Sequence, residues 1–127
     1  MKEVELCMNY IIADPDMQNG IDLKKILDDY EILDFQGSYA TFRAAENDCL
    51  EHPPDIAFIL LGKPELNAFR LAGEIKERNP FSKVIFISRQ KESAVEAFEY
   101  EADGFLLIPF NKKKIGKLLQ QSIGKVE

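Results

Sequence analysis

Asp55-Ile56-Ala57-Phe58-Ile59-Leu60-Leu61-Gly62-Lys63-Pro64 is the stretch that decides the fold. Apolar residues run without a break from Ile56 to Leu61, between His52-Pro53-Pro54 and Gly62-Lys63-Pro64. An uninterrupted apolar run bounded by chain breakers predicts a strand buried on both faces, as in the middle of a parallel sheet. Nothing from Ile56 to Leu61 can ionise, coordinate a metal or attack an electrophile. Its carboxyl end, where open α/β sheets bind their ligands, reads Leu60-Leu61.

Upstream, Asn9-Tyr10-Ile11-Ile12-Ala13 predicts a first strand that Asp14-Pro15-Asp16 must end, because proline donates nothing to a sheet ladder. A helix is expected over residues 17–30, capped by Asp14 or Asp16, with Ile21, Ile26 and Leu27 inward and Gly20 weakening it slightly. A second strand over 31–36 precedes a turn at Gly37-Ser38, and a helix over 39–51 leads into the central strand. Downstream, a helix over 65–78 carries Leu66, Phe69, Leu71 and Ile75, and Asn79-Pro80 stops it. A fourth strand follows over 83–88, a helix over 92–101 with Val95 and Phe98 on one face, and a fifth strand over 105–108 closed by Pro109. Asn111 opens a last helix running to about residue 122. Strand and helix alternate five times with short connections, which predicts a doubly wound α/β fold with parallel strand order 2-1-3-4-5.

The 127 residues suit a single domain, and the hydrophobic share of 46% and charged share of 30% are those of a globular chain. The net charge of -6 disfavours direct nucleic-acid contact. Cys7 and Cys49 form no Cys-x-x-Cys pair, so reduced thiols are expected rather than a disulfide or zinc site. Neither a signal peptide nor a membrane span is legible, and a cytoplasmic location is the expectation.

Several segments resemble receiver domains of two-component response regulators. Asp103-Gly104-Phe105-Leu106-Leu107-Ile108-Pro109-Phe110 looks like their final strand, where lysine usually precedes the proline. Pro54-Asp55-Ile56-Ala57-Phe58-Ile59-Leu60 resembles their third strand, and Pro64 with Asn67-Ala68 the loop after it. Lys83-Val84-Ile85-Phe86-Ile87-Ser88, followed by Ala94-Val95-Glu96-Ala97-Phe98-Glu99, is similar to their fourth strand and helix. The likeness runs from about Tyr10 to Leu119 and implies the receiver form of the flavodoxin-like fold, with a cis bond at Ile108-Pro109.

The family transfers a phosphoryl group to an aspartate ending the third strand. A magnesium ion, a lysine and a hydroxyl surround that aspartate, because the transition state concentrates negative charge. Carried over by position, the acceptor is Leu60, the lysine Ile108 and the second acidic residue Pro15. Asp14 and Asp16 retain local acidity, Ser88 matches the hydroxyl, and Phe105 matches the aromatic switch without its phenolic OH. Each retained residue also has a plain structural role: capping for Asp14 and Asp16, a backbone hydrogen bond for Ser88, core packing for Phe105. Asp55 lies five residues before Leu60, ~16 Å away at the opposite edge of the sheet, and does not replace it as acceptor.

The expectation is therefore a degenerate receiver, a single domain over 1–127 or the regulatory end of a longer regulator, whose partner is another protein or an attached DNA-binding output domain. It would act in bacterial signalling and transcription regulation by protein–protein contact, without metal, cofactor, catalysis or phosphorylation. Leu60 and Ile108 are expected to fill the former pocket together, since losing both partners avoids a stranded charge. Glu92, Glu96, Glu99 and Glu101 beside Lys112, Lys113, Lys114 and Lys117 suit pairing of two copies through the fourth helix, fifth strand and fifth helix. Two alternatives compete. One is a flavin- or nucleotide-binding protein of the same architecture, disfavoured by the glycine-free Asp14-Pro15-Asp16 turn. The other is an active receiver with an atypical acceptor. His52 is expected to be solvated.

Overall fold

Alternation along the strands divides the core in two. In β1 (Met8–Ala13), β3 (Ile56–Leu60) and β4 (Lys83–Ser88), successive side chains point to opposite faces of the sheet. Ile11, Ala57, Ile59, Val84 and Phe86 belong to one buried cluster, and Tyr10, Ile12, Ile56, Phe58, Ile85 and Ile87 to the other. Both faces must be covered, which forces the helices onto two sides. The computed structural model describes residues 7–62 and 66–124, Leu66 by its backbone alone.

The first cluster is covered by α2 (Phe42–Glu51), α3 (Leu66–Arg78) and α4 (Ser93–Glu99) through Ala45, Cys49, Phe69, Ile75 and Ala97. The second is covered by α1 (Gln18–Leu27) and α5 (Lys112–Ile123) through Leu23, Leu27, Ile115 and Leu119. With β2 (Leu33–Tyr39) and β5 (Gly104–Leu107), the five parallel strands run in the order β2-β1-β3-β4-β5. This is the doubly wound order expected from the sequence.

Local departures have local causes. Residues 37–39, expected as a turn and the start of a helix, belong to β2, and α2 begins only at Phe42. The β1–β2 register skips Gln36, passing from Tyr10 opposite Phe35 to Ile11 opposite Gly37, so a bulge takes the place of the turn. Gln36 Nε2 donates from the bulge to Asp48 and to the His52 carbonyl. Tyr39 folds back over Gly37, where a Cβ would lie 2.8 Å from Tyr39 Cζ. Thr41 accepts from the Ala44 N–H and caps α2 instead.

In α1 the inward residue is Leu23, whereas Ile21, expected inward, is 48% exposed. The buried positions are Asn19, Gly20, Leu23 and Leu27, a stripe that passes Ile21 by. Gly20 has a packing role, because a Cβ there would come within 3.2 Å of Ile12 Cγ2 on β1. Val95 and Phe98 do share a face of α4, but it is the outward one; Ser93 and Ala97 are buried. α4 stops short of residue 101, where Glu101 takes a φ of 63°. Asn111 caps α5, accepting from the Lys114 N–H at 2.9 Å.

Cys49 is buried in the first cluster, where burial pushes its thiol up to about 12; Cys7 is exposed, and both are free. His52 is exposed, as expected. Among the described residues no helix is long and apolar enough to cross a membrane.

Candidate functional site at the carboxyl edge

Parallel strands bring their carboxyl ends to one edge, and there Asp14 follows β1, Leu60 ends β3 and Ser88 ends β4. Register fixes their spacing: Ala13 pairs with Ile59, and Leu60 with Ile87. Asp55 lies at the other edge, where its Oδ2 accepts from the Asn9 N–H at 2.9 Å. The distance argument against it as a substitute acceptor therefore has a structural counterpart.

Asp14 is only 1% exposed, and both of its oxygens are engaged. Oδ1 accepts from the Asp16 N–H at 2.9 Å and Oδ2 from the Gly20 N–H at 3.1 Å. The carboxylate thus satisfies a donor in the first turn of α1, as anticipated for a cap, although it stands outside the usual capping position. Burial raises its pKa above the ordinary carboxylate range; the two N–H bonds pull the other way, as does the positive charge of Arg89. Pro15 and Asp16 are exposed.

Ser88 is 3% exposed and its Oγ accepts from the Gln90 N–H at 3.0 Å. The strand-end hydroxyl is thus held by backbone, the plainer of its two anticipated roles. Leu60 and Ile108 are partly buried and pack against the same core cluster, on the α1–α5 side. Phe105 is partly buried against the opposite cluster. Ile108 donates its N–H to the Ser88 carbonyl at 2.8 Å, just past the end of β5, and its bond to Pro109 is cis.

A cleft of about 320 Å³ opens at this edge, lined by Asp16, Asn19, Leu60, Leu61, Gly62, Ser88, Arg89 and Gln90. It gathers Asp16, Leu60 and Ser88 from the sequence-derived site, whereas Asp14, Pro15, Ile108 and Phe105 lie outside its lining. Asn19, Arg89 and Gln90 went unnoticed in the sequence. Arg89 and Gln90 directly follow the fourth strand and were legible as edge residues; Asn19 required the true register of α1.

The resemblance implies magnesium, and the donors present do not fit it. Both Asp14 oxygens already accept N–H bonds, and Pro15 and Leu60 offer no ligand, so Asp16 is left as the free carboxylate. A hard cation seeking octahedral oxygen ligands is poorly served by such a set. Among the described residues no group of three or more histidine, cysteine and acidic side chains converges.

A second cavity, about 330 Å³, lies along β5 and α5, lined by Phe105, Leu106, Leu107, Lys114, Lys117, Leu118 and Gln121. β5 is an edge strand, and the exposed Val95 and Phe98 stand on the neighbouring α4.

The backbone superposes on the response regulatory domain of MrkE from Klebsiella pneumoniae with a TM-score of 0.80 and 26% identity, covering 91% of this chain and 95% of that one. This chain has the fold of a response-regulator receiver domain. No protein-family model matches it. The sensory transduction protein LytT of Bacillus anthracis is 23% identical over 114 residues, 90% of this chain and 46% of LytT. The transcriptional regulatory protein YpdB of Escherichia coli K12 is 38% identical over 69 residues, 53% of this chain and 28% of YpdB. This chain thus spans less than half the length of these curated relatives.

Proposed function

We propose that this receiver works without phosphoryl transfer, as a regulatory module acting through protein contacts in bacterial signalling. Leu60 carries the reading: where the resemblance calls for a phospho-acceptor, β3 ends in a side chain that cannot accept a phosphoryl group. Three further features support it. Ile108 stands where the lysine would be, Asp14 spends both oxygens on backbone donors, and Ser88 on Gln90. Leu60 and Ile108 both pack against the α1–α5 side of the core, so neither position brings a charge to the edge. The test is incubation with magnesium and acetyl phosphate followed by intact mass. No mass gain is expected, and one phosphoryl group added would overturn the reading.

The relatives extend well beyond the matched span, and one of them is a transcriptional regulatory protein. The module accordingly governs an output segment or partner protein that contacts DNA. Its pairing surface is α4, β5 and α5, where exposed Val95 and Phe98 adjoin acidic α4 and basic α5. Equilibrium sedimentation should detect a dimer that weakens with salt. A monomer at high concentration, indifferent to salt, would remove the pairing claim.

A flavin or nucleotide cofactor is less well supported. The Asp16 and Gly20 N–H groups, which a phosphate at the start of α1 would need, are taken by the Asp14 carboxylate.

A further inference from the structure

The cleft at the carboxyl edge contains two polar side chains that form no hydrogen bond among the described residues. Asn19 is 9% exposed and lines the wall, yet its side-chain amide makes no hydrogen bond among the described residues. Among the described residues Tyr10 Oη is the side-chain polar atom sealed without a partner, so the Asn19 amide is open to the cleft and available to a ligand there. Arg89, on the same cleft, has neither an ion pair nor a hydrogen bond among the described residues.

The remaining lining sets the ligand's character. Leu60 and Leu61 present an apolar surface, and the Ser88 hydroxyl is already committed to Gln90. Asp16 offers an exposed carboxylate on the cleft that holds the Arg89 guanidinium. One acid and one base beside an apolar floor disfavour a phosphate dianion, for which Asp16 and the nearby Asp14 are repulsive. The same set complements a small zwitterion with an apolar tail.

We propose that the cleft binds an apolar α-amino acid without covalent chemistry. Arg89 pairs with the carboxylate, Asp16 with the ammonium group, Asn19 supplies a hydrogen bond, and Leu60 and Leu61 receive the side chain. The volume of about 320 Å³ is at the small end of ligand pockets and is enough for one such molecule. Ligand bound at Arg89 and Asn19 would join the β4–α4 connection to the start of α1 and couple occupancy to the α4 surface. The inference rests on the reading that this edge has lost phosphoryl transfer, since an aspartyl phosphate would claim the same space.

The test is titration of the purified chain with L-leucine, followed in amide proton–nitrogen correlation spectra. Saturable shifts are expected for the Asn19 side-chain amide and for the Gly62 and Arg89 backbone. 4-Methylpentanoate lacks the ammonium group and 3-methylbutylamine lacks the carboxylate; each should bind at least about tenfold more weakly. Arg89→Gln and Asp16→Asn, both at exposed positions, should each weaken leucine binding by a similar factor with little change in thermal unfolding, and Asn19→Ala, at a buried position of α1, should weaken it as well in whatever fraction remains folded. No saturable shift up to about 10 mM leucine overturns the proposal. So does inorganic phosphate or 4-methylpentanoate binding as well as leucine. Acetyl phosphate separates the two readings: a mass gain overturns both, whereas unchanged mass with no leucine response overturns this inference alone.

Discussion

Leu60 pairs with Ile87 in the β3–β4 register, which sets Ser88 one residue farther along on the cleft that Leu60 also lines. An apolar side chain thus stands beside a hydroxyl that the Gln90 N–H already holds. Leu60→Asp would place a carboxylate on a partly buried site with Ile108, not a cation, on the same side of the core. The expected loss at neutral pH is about 2 kcal/mol in urea unfolding. Desolvation would raise the new carboxyl's pKa above its unfolded value, so the loss should shrink as pH falls and the group becomes neutral. Adding Ile108→Lys should return about 1 kcal/mol relative to additivity. Strict additivity would mean that the two side chains do not meet.

Tyr10 supplies an alkaline probe. It is 1% exposed, its ring lies edge-on to Phe58 at 5.8 Å, and its hydroxyl has no hydrogen-bond partner among the described residues. Burial, then the charge of Asp28, raises its pKa from 10.0 to about 12. A raised folded value means that the stabilisation is complete below the unfolded pKa of 10.0 and is lost as pH climbs through about 12. Tyr39 shifts in the same direction through burial and its bond to Asp48, so both phenols contribute to the alkaline loss. Tyr10→Phe removes an orphaned hydroxyl while keeping the ring. It should raise stability at neutral pH by about 0.5–1 kcal/mol and flatten the alkaline decline, read from urea midpoints across pH. Lower stability at neutral pH would indicate that the hydroxyl has an unrecognised partner.

The fold was legible because strands buried on two faces leave an unmistakable record. Ile56–Leu60 and Val84–Ile87 are apolar in succession, and the strands that contain them end within one residue of where their sequences suggest. Edge elements were harder. β2 is partly exposed throughout, so its sequence carries weak alternation, and the bulge at Gln36 left no signature distinct from a turn. Ile21 misled because the helix turns on Asn19, Gly20 and Leu23, and Gly20's close approach to Ile12 is invisible without the sheet. At the site, Leu60, Ser88 and Asp16 could be placed by strand ends alone. Arg89, directly after β4, was legible in the same way, whereas Asn19 could not be joined to them, since its place depends on how α1 folds over the edge.

Asp103 ties three elements together at the opposite edge. Its Oδ2 accepts from Lys76 Nζ of α3 and from the Val84 N–H of β4, both at 2.8 Å. The ion pair is about a quarter exposed on each side, so its Coulombic share is modest. The bond to the strand N–H matters more, because losing it strands a donor. Lys76→Met should cost about 0.5 kcal/mol, Asp103→Asn about 1 and Asp103→Ala about 2, measured by urea unfolding. A loss for Lys76→Met as large as for Asp103→Ala would reverse this ranking and make the ion pair the dominant contact.

Gly104 tests how closely α5 packs on β5. A Cβ at this buried position would lie 2.7 Å from Ser122 Oγ, 2.9 Å from Leu118 Cδ1 and 3.3 Å from Ile85 Cγ1. The first two atoms belong to α5 and the third to the neighbouring strand, so an added methyl meets walls on two sides. Ser122 has little freedom to withdraw, since its Oγ donates to the Asp103 carbonyl at 3.2 Å. Gly104→Ala should therefore cost about 1–2 kcal/mol by forcing α5 outward, despite alanine's lower entropy cost in the unfolded chain. Ser122→Ala removes the nearer obstacle and a hydrogen bond, so alone it should cost about 1 kcal/mol. Combined with Gly104→Ala it should cost less than the sum, because the methyl gains the space the hydroxyl vacates. A neutral or stabilising Gly104→Ala would mean that α5 yields freely, and the cavity lined by Leu107 and Lys117 would then owe its shape to a helix that moves.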